Sequence, residues 1–178
     1  MVGSFHESAL RQVSAARNSA YVEVVRLNPT FFLANPSSEV ERASRGVRSA
    51  FERLRRALLV TASTKDDVVG CVDQGRRKGL DPLETRAIIA EALGKTVARV
   101  VGVMPVRGLF LCGGDTAYGV CRALGAEALL LKETIETGVV SSTMVGGPHD
   151  GLTVVTKGGS VGGDDTILRA LDHLGGNG

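Results

Sequence analysis

At 178 residues the chain can bury one core of ordinary size and is short for two full domains, which run to about 100–200 residues each. Its net charge of +2 gives no electrostatic footprint for nucleic acid, and no apolar stretch approaches the length of a membrane span or forms a signal-peptide core. Aromatic residues are only 4% and tryptophan is absent, so the core must rest on Val, Leu, Ile and Ala, a composition suited to helices packed on a buried parallel sheet.

In chain order, Val2-Gly3-Ser4 reads as a short strand that ends at Ser4, an N-cap candidate for a helix from Glu7 to about Arg17. Tyr21 to Leu27 alternates in polarity as a strand does. Ser38-Glu39-Val40-Glu41 has the form of a capping box, and Val40, Ala43, Val47, Ala50, Phe51, Leu54 and Leu58 trace a helical stripe behind it. The arginines of this segment, 42, 45, 48, 53, 55 and 56, are interleaved with Glu39, Glu41 and Glu52; that pattern predicts a solvated face, and without aromatic stacking platforms it predicts no nucleic-acid binding. Leu58 to Ser63 is the next strand. Asp81-Pro82-Leu83-Glu84 starts a helix with proline at its first position, and its apolar face continues to Met104. Strands near 109–112, 127–131 and 152–156 complete the alternation. The pattern predicts one α/β domain over 1–178, a three-layer-like arrangement with a mostly parallel sheet flanked by helices, and a frayed glycine-rich end from Gly175 to Gly178.

Cys71, Cys112 and Cys121 are odd in number and lack framework spacing, which suggests reduced thiols and a cytoplasmic protein. His6, His149 and His173 show no metal-ligand spacing and read as surface or loop residues, with His149 beside Gly146-Gly147-Pro148 a candidate to line a cleft.

Two segments carry chemistry. Leu109 to Cys112 delivers Gly113, Gly114, Asp115 and Thr116 into a helix whose face is Ala117, Val120, Cys121 and Leu124, closed by Gly125. A strand that enters a Gly-Gly turn at a helix N-terminus leaves backbone N–H groups uncovered with the helix dipole behind them, which suits phosphate. The alternative is a turn of glycines and an Asp115 that only caps the helix. Leu152 to Thr156 then leads into Lys157, Gly158, Gly159, Ser160, Val161, Gly162, Gly163 and Asp164 ahead of a last helix with face Ile167, Leu168, Leu171 and Leu174. The lysine precedes its glycines, so this is not a Walker A loop, and neither loop gives G-x-G-x-x-G in a dinucleotide context. Two such loops on one sheet edge point to a phosphorylated ligand.

Gly113-Gly114-Asp115-Thr116-Ala117 with Ala123-Leu124-Gly125, Glu133 to Val139, and Thr156-Lys157-Gly158-Gly159 with Gly162 resemble the C-terminal nucleotide-binding domain of the four-carbon acid sugar kinases. Val2-Gly3-Ser4 and Gln12 resemble that domain's start. The resemblance implies ATP with Mg²⁺ as ligand, held by Ser4, Gly113, Gly114, Asp115, Thr116, Lys157, Gly158, Gly159, Ser160 and Gly162. It leaves Asp115 as a cap, a water-mediated Mg²⁺ contact or a base for the substrate hydroxyl, with no metal cage built from protein side chains. Lys157 either offsets charge on the transferring phosphoryl group or is a solvated lysine at a strand end. Family members are two-domain enzymes, so the resemblance also implies a companion sugar-acid domain or chain, absent from these 178 residues, before threonate or erythronate is phosphorylated. Two departures, Gly158 for a serine and Val161 for an aromatic residue, leave room for a non-catalytic nucleotide- or phosphate-binding module, or for a structural dimerisation domain forming a homodimer.

Overall fold

The structure is a computed structural model, and it describes Met1–Gly175; most of the glycine-rich end expected to fray, residues 176–178, lies outside the described residues. The first helix, α1, spans Glu7–Arg17, and β1 spans Glu23–Arg26. A short α2, Pro29–Ala34, follows and was not legible in the hydrophobic pattern; Asn28 Oδ1 caps it by accepting from the N–H groups of Thr30 and Phe31. Asn35 then caps α3, Pro36–Leu54, with Pro36 at the first position. The capping box expected at Ser38 is therefore not formed: the helix begins two residues earlier, and Ser38 donates its N–H to Asn35 Oδ1. Glu39 is fully buried instead, accepting from the Asn28 N–H and from the Arg42 guanidinium, which in turn donates to the Arg26 carbonyl. This knot ties α2 and α3 to the end of β1.

Strand β2 spans Ala57–Val60 and α4 spans Lys65–Arg77, capped by a Thr64–Asp67 box. Helix α5, Pro82–Val101, starts as expected at Asp81, with Glu84 completing the box, and stops short of Met104. Then come β3 (Gly108–Cys112), α6 (Gly114–Ala123), β4 (Ala128–Glu136), β5 (Val139–Val145), β6 (Thr153–Lys157) and α7 (Thr166–Gly175). Strand β5 was not foreseen; Gly138, with φ +75°, turns β4 back onto it.

The sheet runs β1-β2, then Val2, then β3-β6-β5-β4, with Val2 bridging in parallel to Val60 on one side and to Cys112 on the other. Pairings β1/β2 and β3/β6 are parallel, whereas β6/β5 and β5/β4 are antiparallel. The mostly parallel sheet therefore carries an antiparallel hairpin on one flank. Helices cover both faces. Ala9, Val13 and Ala16 of α1 and Ile167 and Ala170 of α7 pack with Phe110, Cys112 and Val155 on one side. Val40 of α3, Leu93 of α5 and Val120 of α6 pack with Leu59, Leu111 and Val154 on the other.

Candidate functional site

Val2, β3 and β6 lie side by side and parallel, so the segments after them emerge at one edge of the sheet. The chain leaves Val2 toward α1 on one face and leaves β3 toward α6 on the opposite face. Such a switch point opens a crevice beyond the carboxyl ends of parallel strands, the usual place for a ligand in an open α/β sheet. Ser4, Gly113–Thr116 and Gly158–Gly163 converge there. A Cβ placed on Gly159 would lie 2.0 Å from Ser4 Oγ, and one on Gly113 would lie 3.6 Å from Ser4 Cβ.

Gly113 is the N-cap of α6, with φ +104° and ψ 137°, a backbone that an L side chain rarely adopts. It has no side-chain cap, so Asp115 does not cap the helix. Asp115 is the second helical residue, its side chain 64% exposed and 3.8 Å from the Arg86 guanidinium. The Gly113 N–H is already donated to the Lys157 carbonyl at 2.9 Å, so it is not available to a ligand. The Ala117 N–H closes the first turn on Gly113 O, which leaves the N–H groups of Gly114, Asp115 and Thr116 as the open donors. A Cβ at Gly114 would meet nothing within 4 Å, so the space beside this helix end is open. Thr116 is buried, with its Oγ1 against Gly3, and offers the site only its backbone.

Ser4 is not the cap of α1 either. His6 holds that position, its Nδ1 accepting from the Ser8 N–H, while Ser4 Oγ accepts from the His6 N–H at 3.2 Å. Lys157 is 4% exposed, which rules out the solvated reading; Nζ donates to Cys112 Sγ at 3.3 Å on the α1 side of the sheet. Its positive charge therefore lies beneath the glycine loop instead of in the mouth of the crevice.

The 158–163 loop is held from below by a residue to which the sequence assigned no role. Gln12 is fully buried on α1, and its Nε2 donates to the carbonyls of Val161, Gly162 and Gly163 at 2.9, 3.3 and 2.9 Å. Drawing three successive carbonyls inward shapes this side of the loop's backbone. Gly162 has φ +85°. Glu136, at the end of β4, accepts from Thr166 Oγ1 at 2.5 Å and pairs with Arg169, fastening the start of α7, where the loop ends, to β4. A spacing rule could not have found Gln12 or Glu136, because each acts through a backbone or helix distant in sequence. Ser160 is exposed on the loop.

His149 lies in the turn before β6, at the sheet edge opposite the glycine loops, so it does not line this crevice. His173 is half-buried on α7, with Nε2 3.1 Å from Ser141 Oγ. Among the described residues no group of three or more His, Cys, Asp or Glu side chains could hold a metal ion. No described helix is long and apolar enough to cross a membrane.

The model of the family described as a nucleotide-binding C-terminal domain matches residues 1–167. The chain belongs to this family. Among curated relatives of this nucleotide-binding domain, a D-threonate kinase of Salmonella typhimurium is 30% identical over 98% of the chain and 41% of its own length. A D-erythronate kinase of Heliobacterium modesticaldum is 26% identical over 98% of the chain and 40% of its own length. The chain thus spans about two fifths of these relatives, in their C-terminal part. A crystal structure of a domain of unknown function from Bordetella bronchiseptica, a domain-swapped dimer with bound citrate, superposes with TM-score 0.73 at 30% identity, covering 96% of the chain and 39% of the other. A Haemophilus influenzae protein superposes with TM-score 0.75 at 20% identity, which shows the shared fold.

Proposed function

We propose that this chain is the ATP-binding domain of a kinase acting on four-carbon sugar acids such as threonate or erythronate. The carrying observation is the convergence of Ser4, the α6 N-terminus and the 158–163 loop at the switch point of the sheet. Three open N–H donors at Gly114, Asp115 and Thr116, with the α6 dipole behind them, suit the terminal phosphates of a nucleotide. The backbone of Gly158, Gly159 and Ser160 borders the same space, and buried Lys157 supplies positive charge beneath it. Asp115 is a lone exposed carboxylate beside the donors, a donor set that suits a water-mediated contact to Mg²⁺ carried in by the nucleotide and does not suit a protein-built cage. Mg²⁺ would supply charge neutralisation between phosphate oxygens.

Phosphoryl transfer needs an acceptor hydroxyl placed in line, and the relatives named above are more than twice the length of the matched region. A companion acid-binding domain or chain would supply that surface, completing a cleft over the α6 N-terminus. The altered Gly158 and Val161 positions favour a second reading, a non-catalytic nucleotide-binding module. A homodimer is a further proposal: the edge strand β4 leaves Leu130 and Leu131 exposed, the latter at 70%.

ADP release separates the readings. The chain is incubated with ATP, Mg²⁺ and D-threonate or D-erythronate, with and without an acid-binding domain in trans. Acid-dependent ADP release supports the kinase. ATP binding without release in any combination favours the module.

A further inference from the structure

Cys112 and Lys157 end two neighbouring parallel strands in direct register, and their side chains meet on the α1 side of the sheet. Cys112 is fully buried and Lys157 nearly so. A lysine ammonium carries three donors, and a buried one is ordinarily satisfied by a carboxylate or by several oxygens. Among the described residues Lys157 Nζ has a single hydrogen-bond partner, Cys112 Sγ at 3.3 Å, and no ion pair. Phosphate binding at the glycine loop needs the charge of this lysine but does not need the sulfur.

An amine in contact with a thiol is arranged for oxidative condensation. Peroxide converts a thiol to a sulfenic acid, and a nitrogen within reach then displaces the oxygen to give a sulfenamide. The other two cysteines have no such neighbour: burial raises the thiols of Cys71 and Cys121, and neither is hydrogen-bonded to an amine among the described residues. Cationic neighbours mark the cysteines that react with peroxide. Gly158, directly after Lys157, is exposed, and a Cβ there would meet only Val161 Cγ2, at 3.1 Å. A molecule as small as hydrogen peroxide therefore has a short path to the pair.

We infer that Cys112 and Lys157 form a peroxide-sensitive switch that closes to a covalent Nζ–Sγ bond and ties the roots of the two glycine loops together. Hydrogen peroxide first oxidises Cys112: an S–O bond forms, the O–O bond breaks, and the thiol proton leaves with the second oxygen as water. Lys157 Nζ then releases one proton to solvent and attacks Sγ. The N–S bond forms, the S–O bond breaks, and hydroxide departs with a further amine proton as a second water. Sulfur loses two electrons and one peroxide is reduced. Two molecules of an added thiol reverse the step, restoring the amine and the Cys112 thiol and leaving as their disulfide. The sulfenamide nitrogen is uncharged, so closure removes the cation from beneath the 158–163 loop. The consequence for nucleotide rests on the ATP-binding reading above, whereas the bond itself does not.

The chain is treated with hydrogen peroxide, its remaining thiols are blocked on denaturation, and tryptic peptides are read by mass spectrometry with and without dithiothreitol. Trypsin cuts after Arg107, Arg122, Lys132, Lys157 and Arg169. The expected product joins residues 108–122 to residues 133–169, uncut at Lys157 and lighter by two hydrogens than the separate peptides. Dithiothreitol should restore the separate peptides and cleavage at Lys157. The same product is expected from Cys121→Ser and not from Cys112→Ala; the parent chain alone locates the bond, so the result does not hinge on how the variants fold. Titrated with ATP, the oxidised chain should bind about tenfold more weakly and recover with dithiothreitol. Cleavage retained at Lys157 after peroxide, with Cys112 unreacted or carrying only oxygen, would overturn the bond. A cross-linked chain that binds ATP as tightly as the reduced one would overturn the switch. Cross-linking in a chain that binds no ATP in either form would contradict the ATP-binding reading and leave the bond standing.

Discussion

Replacing Gln12 by leucine should separate the stability of the domain from the competence of its glycine loop. The Gln12 amide donates to three carbonyls with two hydrogens, which is worth about two ordinary hydrogen bonds, or roughly 1–3 kcal/mol net. Its Oε1 is buried without a partner, a penalty of about 1–3 kcal/mol that leucine would relieve. The two effects nearly cancel in global stability, because Gly162 and Gly163 are exposed and their carbonyls can turn to water. The loop, however, loses the restraint that fixes its backbone. Ordering it on ligand binding would then cost about 1–3 kcal/mol, which corresponds to roughly 5- to 150-fold weaker ATP binding. Urea denaturation and calorimetric titration of the same samples read the two quantities. Gln12→Glu serves as the contrast: a carboxylate against three carbonyls should lower both stability and affinity. A Gln12→Leu variant that binds ATP as tightly as the parent would refute the loop-positioning role. A loss of well over 3 kcal/mol in stability would instead make Gln12 a core residue.

Gly162→Ala should cost about 1–3 kcal/mol in thermal or urea unfolding, because φ is +85° and the new Cβ would approach Thr166 Oγ1 to 2.2 Å. Gly119→Ala tests the close approach of α5 and α6: its Cβ would lie 2.7 Å from the Ala90 carbonyl oxygen, so a loss of about 1–3 kcal/mol is expected, and unchanged stability would contradict the packing. Burial raises the Cys71 thiol from 9.0 to about 11. Below pH 9 the thiol is protonated in both states; between pH 9 and 11 only the unfolded chain ionises. Stability should therefore fall by up to about 3 kcal/mol across that window, and Cys71→Ala should flatten this part of the urea-denaturation profile against pH.

Much of the architecture was legible because the local signals were strong. The α1 boundaries followed from helical patterning, and α5 announced itself through Asp81-Pro82 with Glu84 three residues after the aspartate. The two glycine segments were also foreseen at one sheet edge from their strand-to-glycine-to-helix patterns, whereas the place of Ser4 beside them followed only from the family resemblance, its own residues having read as an N-cap. Strand β5 was hidden because its residues, including Ser141 and Ser142, lack clean alternation and take their place from pairing with β4 and β6. Helix α2 is six residues long, too short for a period, and rests on the Asn28 cap. In the site, the side-chain roles were harder to read than the backbone ones. Lys157 looks like a solvent-facing strand end in sequence, yet its register opposite Cys112 buries it. Gln12 entered the family resemblance without a role, because its partners are carbonyls about 150 positions away.

The most direct test of the phosphate site is calorimetric titration of ATP and Mg²⁺ into the chain and into Gly114→Val. A Cβ at this position would meet nothing within 4 Å, so the fold should tolerate valine while the branched side chain covers the open N–H groups of α6. The account predicts saturable binding by the parent chain and at least about thirtyfold weaker binding by the variant, a loss of roughly 2 kcal/mol. Equal binding by the two folded proteins would place the nucleotide elsewhere, and no binding by the folded parent would reduce the glycine loops to turns.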